Sequence, residues 1–177
     1  MGDIFLKSED FIDKWRKNTR TEKSAAQEHF LDICELLGID KPGNVDPDGT
    51  WFTFEKHVTI DKNSKGFVDV WRKDCFAWEY KRSHDSGEFN HKNLVKALAQ
   101  VRRYAAPLGN PPILIVSDMK EIRIHTNFTN SISEQHVFLL PDLNDPTVRQ
   151  RLLWCFTDPE RLRPEITREG VTTKAAL

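Results

Sequence analysis

Three residues in the stretch Gly66-Phe-Val-Asp-Val-Trp-Arg-Lys-Asp-Cys-Phe-Ala-Trp-Glu-Tyr-Lys81 have the types and spacing for chemistry. Asp69 lies on one apolar run, and Glu79 and Lys81 lie on the next. Two carboxylates on adjacent strands can hold a hard divalent cation through oxygen. Such a cation and a nearby ammonium activate water and offset charge on a phosphate, which is what metal-assisted phosphodiester cleavage needs. Residues two apart on a strand share a face, so Glu79 and Lys81 point one way and Trp78 and Tyr80 the other. Directly opposed residues of an antiparallel hairpin also share a face. Asp69 therefore joins Glu79 and Lys81 if Arg72 opposes Phe76, with Lys73-Asp74-Cys75 as the loop and Asp69 opposite Glu79. A two-residue loop, Lys73-Asp74, sets Asp69 opposite Trp78 and turns it away. The three-residue loop, or an equivalent bulge, is predicted, although no glycine stands in it.

The plain alternative for these three residues is a solvated hairpin ion pair, worth about 0–1 kcal/mol. The apolar residues flanking them argue against a freely solvated face. Gln100 and Tyr104 lie one helical turn apart, beside the stripe Leu94, Leu98, Val101 and Ala105. A glutamine there reaches toward the sheet; the alternative is a solvated flank with a half-buried tyrosine. Glu28 falls opposite the apolar stripe of its helix and is expected in solvent, while Gln27 lies nearer the core. None of the six histidines shows ligand spacing. His29, on the stripe's edge, reads as a satisfied core histidine. Lys92, Lys96, Arg102 and Arg103 form a basic helix face that is solvated by default and able to touch phosphates.

The elements that must position these residues follow from periodicity and breakers. A short helix starts at Ser8, with Phe11, Ile12 and Trp15 on one side. A second, capped by Thr21, runs to Leu37 and stops at Gly38. Residues 40–49 read as a loop. Trp51–Phe54 and His57–Ile60 read as two strand pieces, followed by the Asp69 and Glu79 strands. Arg82–Asn90 reads as a polar loop and Asn93–Ala106 as a helix ended by prolines. Ile113–Val116 is a strand covered on both faces; Ile122–Thr126 and Val137–Leu140 are further strands. Pro146–Phe156 is a helix, and Pro159–Pro164 a turn-rich exit. This order gives an α/β fold, a mixed β-sheet flanked by helices.

Length and composition bound the rest. The 177 residues suit one domain with a real core. With 26 basic and 27 acidic residues, the formal charge of −1 gives no global positive field, so nucleic-acid contacts must come from local patches. No apolar run reaches membrane-spanning length and no signal-peptide pattern opens the chain. Cys34, Cys75 and Cys155, odd in number and widely spaced, read as reduced thiols of a cytoplasmic protein.

Gly66-Phe-Val-Asp69 with Phe76-Ala-Trp-Glu-Tyr-Lys81 resembles the restriction-endonuclease-like PD-(D/E)xK nuclease core. Further blocks, in order, are Ala25-Ala-Gln-Glu-His-Phe30, Trp51-Phe-Thr-Phe-Glu55, Arg103-Tyr104, Asn110-Pro-Pro112, His125-Thr-Asn-Phe-Thr-Asn130 and Phe156-Thr-Asp-Pro-Glu-Arg-Leu-Arg-Pro164. Together they resemble the N-terminal domain of MmeI-like restriction–modification enzymes, across about Phe11 to Pro164. Those enzymes join a nuclease domain to a helical connector, an S-adenosylmethionine-dependent adenine methyltransferase and a target-recognition domain.

The resemblance implies that Asp69 and Glu79 hold Mg²⁺, with Mn²⁺ able to substitute. It implies the Tyr80 carbonyl as a further ligand and Lys81 as the catalytic lysine. Gln100-x-x-x-Tyr104 resembles a motif that follows the lysine in some of these nucleases, which adds Gln100 to the catalytic set. Glu28 lies on the helix that often lends such sites a carboxylate. The usual leading proline is replaced by Val68. The implied partners are double-stranded DNA and the methyltransferase and target-recognition domains, with a transient dimer on DNA for double-strand cutting. No methyltransferase motif is present, so S-adenosylmethionine belongs to a missing part of the parent chain. The expected division is an endonuclease-like domain over residues 1–165 and a connector starting at 166–177. Two alternatives stay open: a catalytically silent module docking DNA or the methyltransferase, and a resolvase or repair nuclease of the same superfamily.

Overall fold

The computed structural model describes residues 6–81 and 87–165. The connector expected at 166–177, and residues 82–86 of the expected loop, lie outside the described residues. The chain runs through α1 (Ser8–Arg16), α2 (Glu22–Leu37), a short α3 (Pro42–Val45), β1 (Phe52–Asp61), β2 (Ser64–Arg72) and β3 (Phe76–Tyr80). It continues through α4 (Gly87–Ala105), β4 (Ile113–Ser117), β5 (Glu121–Thr126), β6 (Gln135–Leu139) and α5 (Pro146–Thr157).

The strands form one six-stranded sheet in the order β1-β2-β3-β4-β5-β6. Every neighbouring pair is antiparallel except β3 and β4, which run parallel with α4 as their crossover. Residues of α1, α2 and α5 share one core with Phe76, Trp78, Tyr80, Ile113 and Ile115. On the other face, α4 packs on Ala77, Leu114 and Val116. Strand β4 is apolar almost throughout because all five of its residues are buried. The α/β mixed sheet flanked by helices is the architecture that the element order predicts.

Several local readings need correction. Helix α4 starts at Gly87, so residues 87–90 are helical and not loop; nothing there breaks a helix, since no proline occurs and the glycine stands at the first position. The loop over 40–49 contains the turn α3, opened by Pro42 at its first position. Thr21 makes no bond to the helix amides; its hydroxyl meets that of Ser24 at 3.1 Å. The last predicted strand ends at Leu139, because Leu140–Asn144 forms a 3₁₀ turn with Pro141 near its start. Gly38 ends α2 as expected, at φ 66, with the Ile39 amide donating to the Cys34 carbonyl at 2.9 Å.

The β2–β3 hairpin has the predicted register. Arg72 opposes Phe76, leaving Lys73-Asp74-Cys75 as the loop. Asp74 takes φ 61, a left-handed conformation that aspartate tolerates better than most residues, so no glycine is required. The two strand pieces predicted upstream are one strand, β1, with a turn at Glu55, φ 48. Phe54 opposes Val70 and Lys56 opposes Val68, so Glu55 stands opposite Asp69. Side chains change face across that point. Val70 belongs to the core under α2, and Val68, two residues earlier, to the core under α4. Alternation thus holds on either side of Asp69 but not across it. Beyond the turn, the hairpin lies against α4, and a Cβ at Gly66 would come 2.2 Å from the Tyr104 hydroxyl. That close approach accounts for a glycine inside a strand.

Candidate active site

Pairing between β2 and β3 runs from Arg72–Phe76 to Val70–Trp78. The next step of the same register sets Asp69 opposite Glu79. There a side chain takes over from the ladder: the Tyr80 amide donates to Asp69 Oδ2 at 2.7 Å. Glu79 is only 3% exposed. Its Oε1 accepts hydrogen bonds from Lys81 Nζ at 2.9 Å and from Gln100 Nε2 at 2.6 Å. Its Oε2 is buried with no hydrogen-bond partner among the described residues. Strand β3 delivers Glu79 and Lys81 to one face, and α4 delivers Gln100 to that face. Trp78 and Tyr80 turn to the other, with their rings stacked. Asp69, Glu79, Lys81 and Gln100 therefore come together as a cluster.

Burial and like charge set the electrostatics. Glu79 is pushed up to about 7, first by burial and then by the charge of Asp69, against the pull of Lys81. Asp69 is also raised, by burial first and by Glu55, while the Tyr80 amide and Lys81 work against the rise. A cation beside these two carboxyls would favour their charged forms. Mg²⁺ takes oxygen ligands and keeps several waters. Asp69, Glu79 and the Tyr80 carbonyl suit it as a donor set, and the orphaned Oε2 of Glu79 is an oxygen such an ion would satisfy. Among the described residues no three or more Asp, Glu, His or Cys side chains converge to hold a metal. Main-chain and water oxygens would have to complete the shell.

A cleft of about 220 Å³ opens beside Asp69, lined by Glu55, Phe54, Val70 and Tyr80 and by Lys23, Ala26 and Gln27 of α2. Periodicity gave no signal for Glu55. Its trace in the sequence is the gap between the two strand pieces, where the backbone turns. Gln27 reaches the cleft, and Glu28 does not. The Glu28 carboxylate pairs with Lys14 at 2.7 Å and Arg20 at 2.5 Å on the solvent side of α1 and α2. Those bonds, Arg20 first, hold it at about 2. His29 is a core histidine, as expected. Its Nδ1 lies 2.9 Å from the Tyr80 hydroxyl, and burial depresses its pKa to about 3. Tyr104 packs on Gly66 instead of the carboxylates. Lys92, Lys96, Arg102 and Arg103 are exposed along α4.

The family model for the N-terminal domain of MmeI matches residues 6–177, essentially the whole chain. The chain belongs to this family. Membership points to a restriction-enzyme-related role. No curated protein and no solved structure matches the chain. Among the described residues no helix is long and apolar enough to cross a membrane.

The raised Glu79 predicts a pH dependence with a definite sign. A carboxyl whose pKa rises on folding, from 4.5 to about 7, keeps a proton in the folded state that the unfolded chain has lost. Its contribution is most favourable below 4.5 and declines as pH rises through 7. Buried His29 acts oppositely, since stability falls as pH drops below 6.5 toward 3. The wild-type profile mixes the two, so the comparison with Glu79→Gln is decisive. In metal-free buffer, the variant's melting temperature is expected to gain on wild type between pH 5 and 7.5. A difference that stays flat in scanning calorimetry rules out a raised Glu79.

Proposed function

We propose that this chain is a Mg²⁺-dependent endonuclease domain that hydrolyses phosphodiester bonds of double-stranded DNA, on a restriction-endonuclease-like (PD-(D/E)xK) core. One observation carries the reading: a buried Glu79 has one oxygen held by Lys81 and Gln100 and the other left over, opposite Asp69. An ion held by Asp69, Glu79 and the Tyr80 carbonyl would supply Lewis-acid activation of water and charge neutralisation at the phosphate. The residues themselves do the positioning. Gln100 and Lys81 fix Oε1, which reserves Oε2. The Tyr80 amide fixes Asp69 Oδ2. Lys81, its side chain about a quarter exposed, orients the attacking water and offsets charge near the scissile phosphate. In-line attack leaves 5′-phosphate and 3′-hydroxyl ends.

The parent would be a combined restriction endonuclease and DNA adenine methyltransferase. Its methyltransferase and target-recognition domains would supply S-adenosylmethionine chemistry and site choice. Two copies would pair transiently on DNA to cut both strands.

Titrating Mn²⁺ into the chain by calorimetry tests the site. Wild type is expected to bind, and Asp69→Ala and Glu79→Ala, checked for folding by circular dichroism, are each expected to bind at least about tenfold more weakly. Unchanged binding in both variants moves the metal elsewhere and leaves the hairpin carboxylates as ordinary charge.

A further inference from the structure

We propose that the β1–β2 hairpin beyond Glu55 is the surface on which this domain grips duplex DNA. Lys62 and Lys65 take backbone phosphates, and Phe67 packs against the sugars of the minor groove beside the phosphate to be cut. The inference rests on the nuclease reading above and adds to it the surface that holds the substrate.

The hairpin has one braced face and one open face. Val58, Gly66 and Val68 turn toward α4: both valines are buried in its core, and Gly66 lies under Tyr104. Lys56 joins that side, its Nζ 4.5 Å from the centre of the Trp71 ring. Opposed residues share a face, so the pairs His57–Phe67 and Thr59–Lys65 form the other one. All four side chains are exposed. Phe67 is 56% exposed, more than any other large apolar side chain among the described residues. Its ring meets the His57 ring edge to face, with centroids 5.2 Å apart, which steadies it without hiding it.

Charge and position select DNA as the occupant. From Lys56 to Phe67 three lysines stand against one acid, Asp61, in a chain whose formal charge is −1. Asp61 serves its own turn, its Oδ1 accepting from the Asn63 amide at 2.8 Å. Lys62, at the tip, and Lys65 are both exposed. The open face is the one turned away from α4, and on that side Asp69 lines the cleft with residues of α2. Phe67 precedes Asp69 by two residues, about 6.6 Å along a strand, which matches about two base steps of duplex. Lysines that meet phosphates fix the register of a duplex without reading its sequence, and an apolar ring suits the minor groove between them.

The test measures binding of a fluorescein-labelled duplex of about 20 base pairs by anisotropy, without divalent ions, from about 50 to 200 mM salt. It compares wild type, Phe67→Ser, the double variant Lys62→Gln/Lys65→Gln, and a control with the same loss of charge on and before α1, Lys7→Gln/Lys17→Gln. All the substituted side chains are exposed, so melting temperatures are expected to stay close to wild type. Phe67→Ser is expected to weaken binding about tenfold with the salt dependence unchanged, because about half of a phenylalanine's surface is left to bury. The double lysine variant is expected to bind more weakly and to flatten the plot of log affinity against log salt by about 2, roughly one for each lost phosphate contact. The control is expected to keep the wild-type slope. A wild-type slope in the double lysine variant, or wild-type affinity in Phe67→Ser, overturns the proposal and leaves Phe67 to a protein partner. Mn²⁺ binding at Asp69 by a chain whose DNA affinity ignores the hairpin overturns the grip and keeps the nuclease reading. A wild-type chain that binds neither Mn²⁺ nor DNA removes both.

Discussion

Lys81→Ala is expected to slow DNA cleavage by the full-length enzyme about 10²–10³-fold, the usual loss when one donor to developing charge is removed. Methylation by the proposed methyltransferase of the parent is expected to stay normal, since no methyltransferase motif lies in this sequence. The effect has a second component. Lys81 Nζ lies 2.9 Å from Glu79 Oε1 and is the side chain that holds the Glu79 pKa down. Without it, Glu79 binds its proton more tightly and competes less well for a cation near neutral pH. Raising the pH should therefore recover part of the Lys81→Ala rate. Asp69→Ala has no such recovery, since the missing group is a ligand and not a tuner of one. Single-turnover cleavage across pH 6.5–9 separates the two. Normal cutting by either variant sinks the nuclease assignment.

The hairpin shows how far the sequence carries and where it stops. The register of β2 against β3 was legible because only the three-residue loop puts Asp69 opposite Glu79, and Asp74 could supply the left-handed residue in place of glycine. Gln100 was legible because α4 is regular, so its flank position points at the sheet, and its amide does reach Glu79. Glu55 was not legible. Glutamate carries no preference for positive φ, and the turn in β1 arises where two sheet-facing cores part company. Alternation counted along β2 then assigns Val68 and Val70 to one face, while the fold gives them to two. Gly66 and Tyr104 each stood out in the sequence, but their contact depends on that same turn. Glu28 was expected in solvent and Gln27 nearer the core, but Gln27 is exposed and Glu28 is half-buried by its ion pairs. Its partners Lys14 and Arg20 come from a packing of α1 on α2 that periodicity does not fix.

Phe30→Ala is expected to destabilise the chain by about 3–5 kcal/mol, the range for removing a buried aromatic ring. Phe30 is fully buried on α2. Its ring centroid lies 5.3 Å from Trp78, 5.5 Å from Phe54, 5.9 Å from Phe156, 6.1 Å from Phe52 and 6.2 Å from Phe76. The contacts with Trp78, Phe54 and Phe52 are edge-to-face, a geometry that adds to simple burial. Five rings anchored on β1, β3 and α5 cannot all close on the space left by a sixth, so most of the cavity cost should remain. For a domain of this size the melting temperature falls by roughly 2–4 °C per kcal/mol. Urea unfolding measures the loss directly, and a change below about 1 kcal/mol means that α2 is seated by other contacts. The consequence extends to the site. The helix that carries Phe30 also carries Ala26 and Gln27 to the cleft wall and His29 to the Tyr80 hydroxyl. Tyr80 in turn holds Asp69 through its amide. Unseating α2 therefore loosens one wall of the cleft and the strand position that fixes Asp69. Mn²⁺ affinity should fall together with stability in Phe30→Ala, and by less in Phe30→Leu, which retains most of the packing. Stability lost without any loss of affinity would show that β2 and β3 hold the carboxylates without help from the helix.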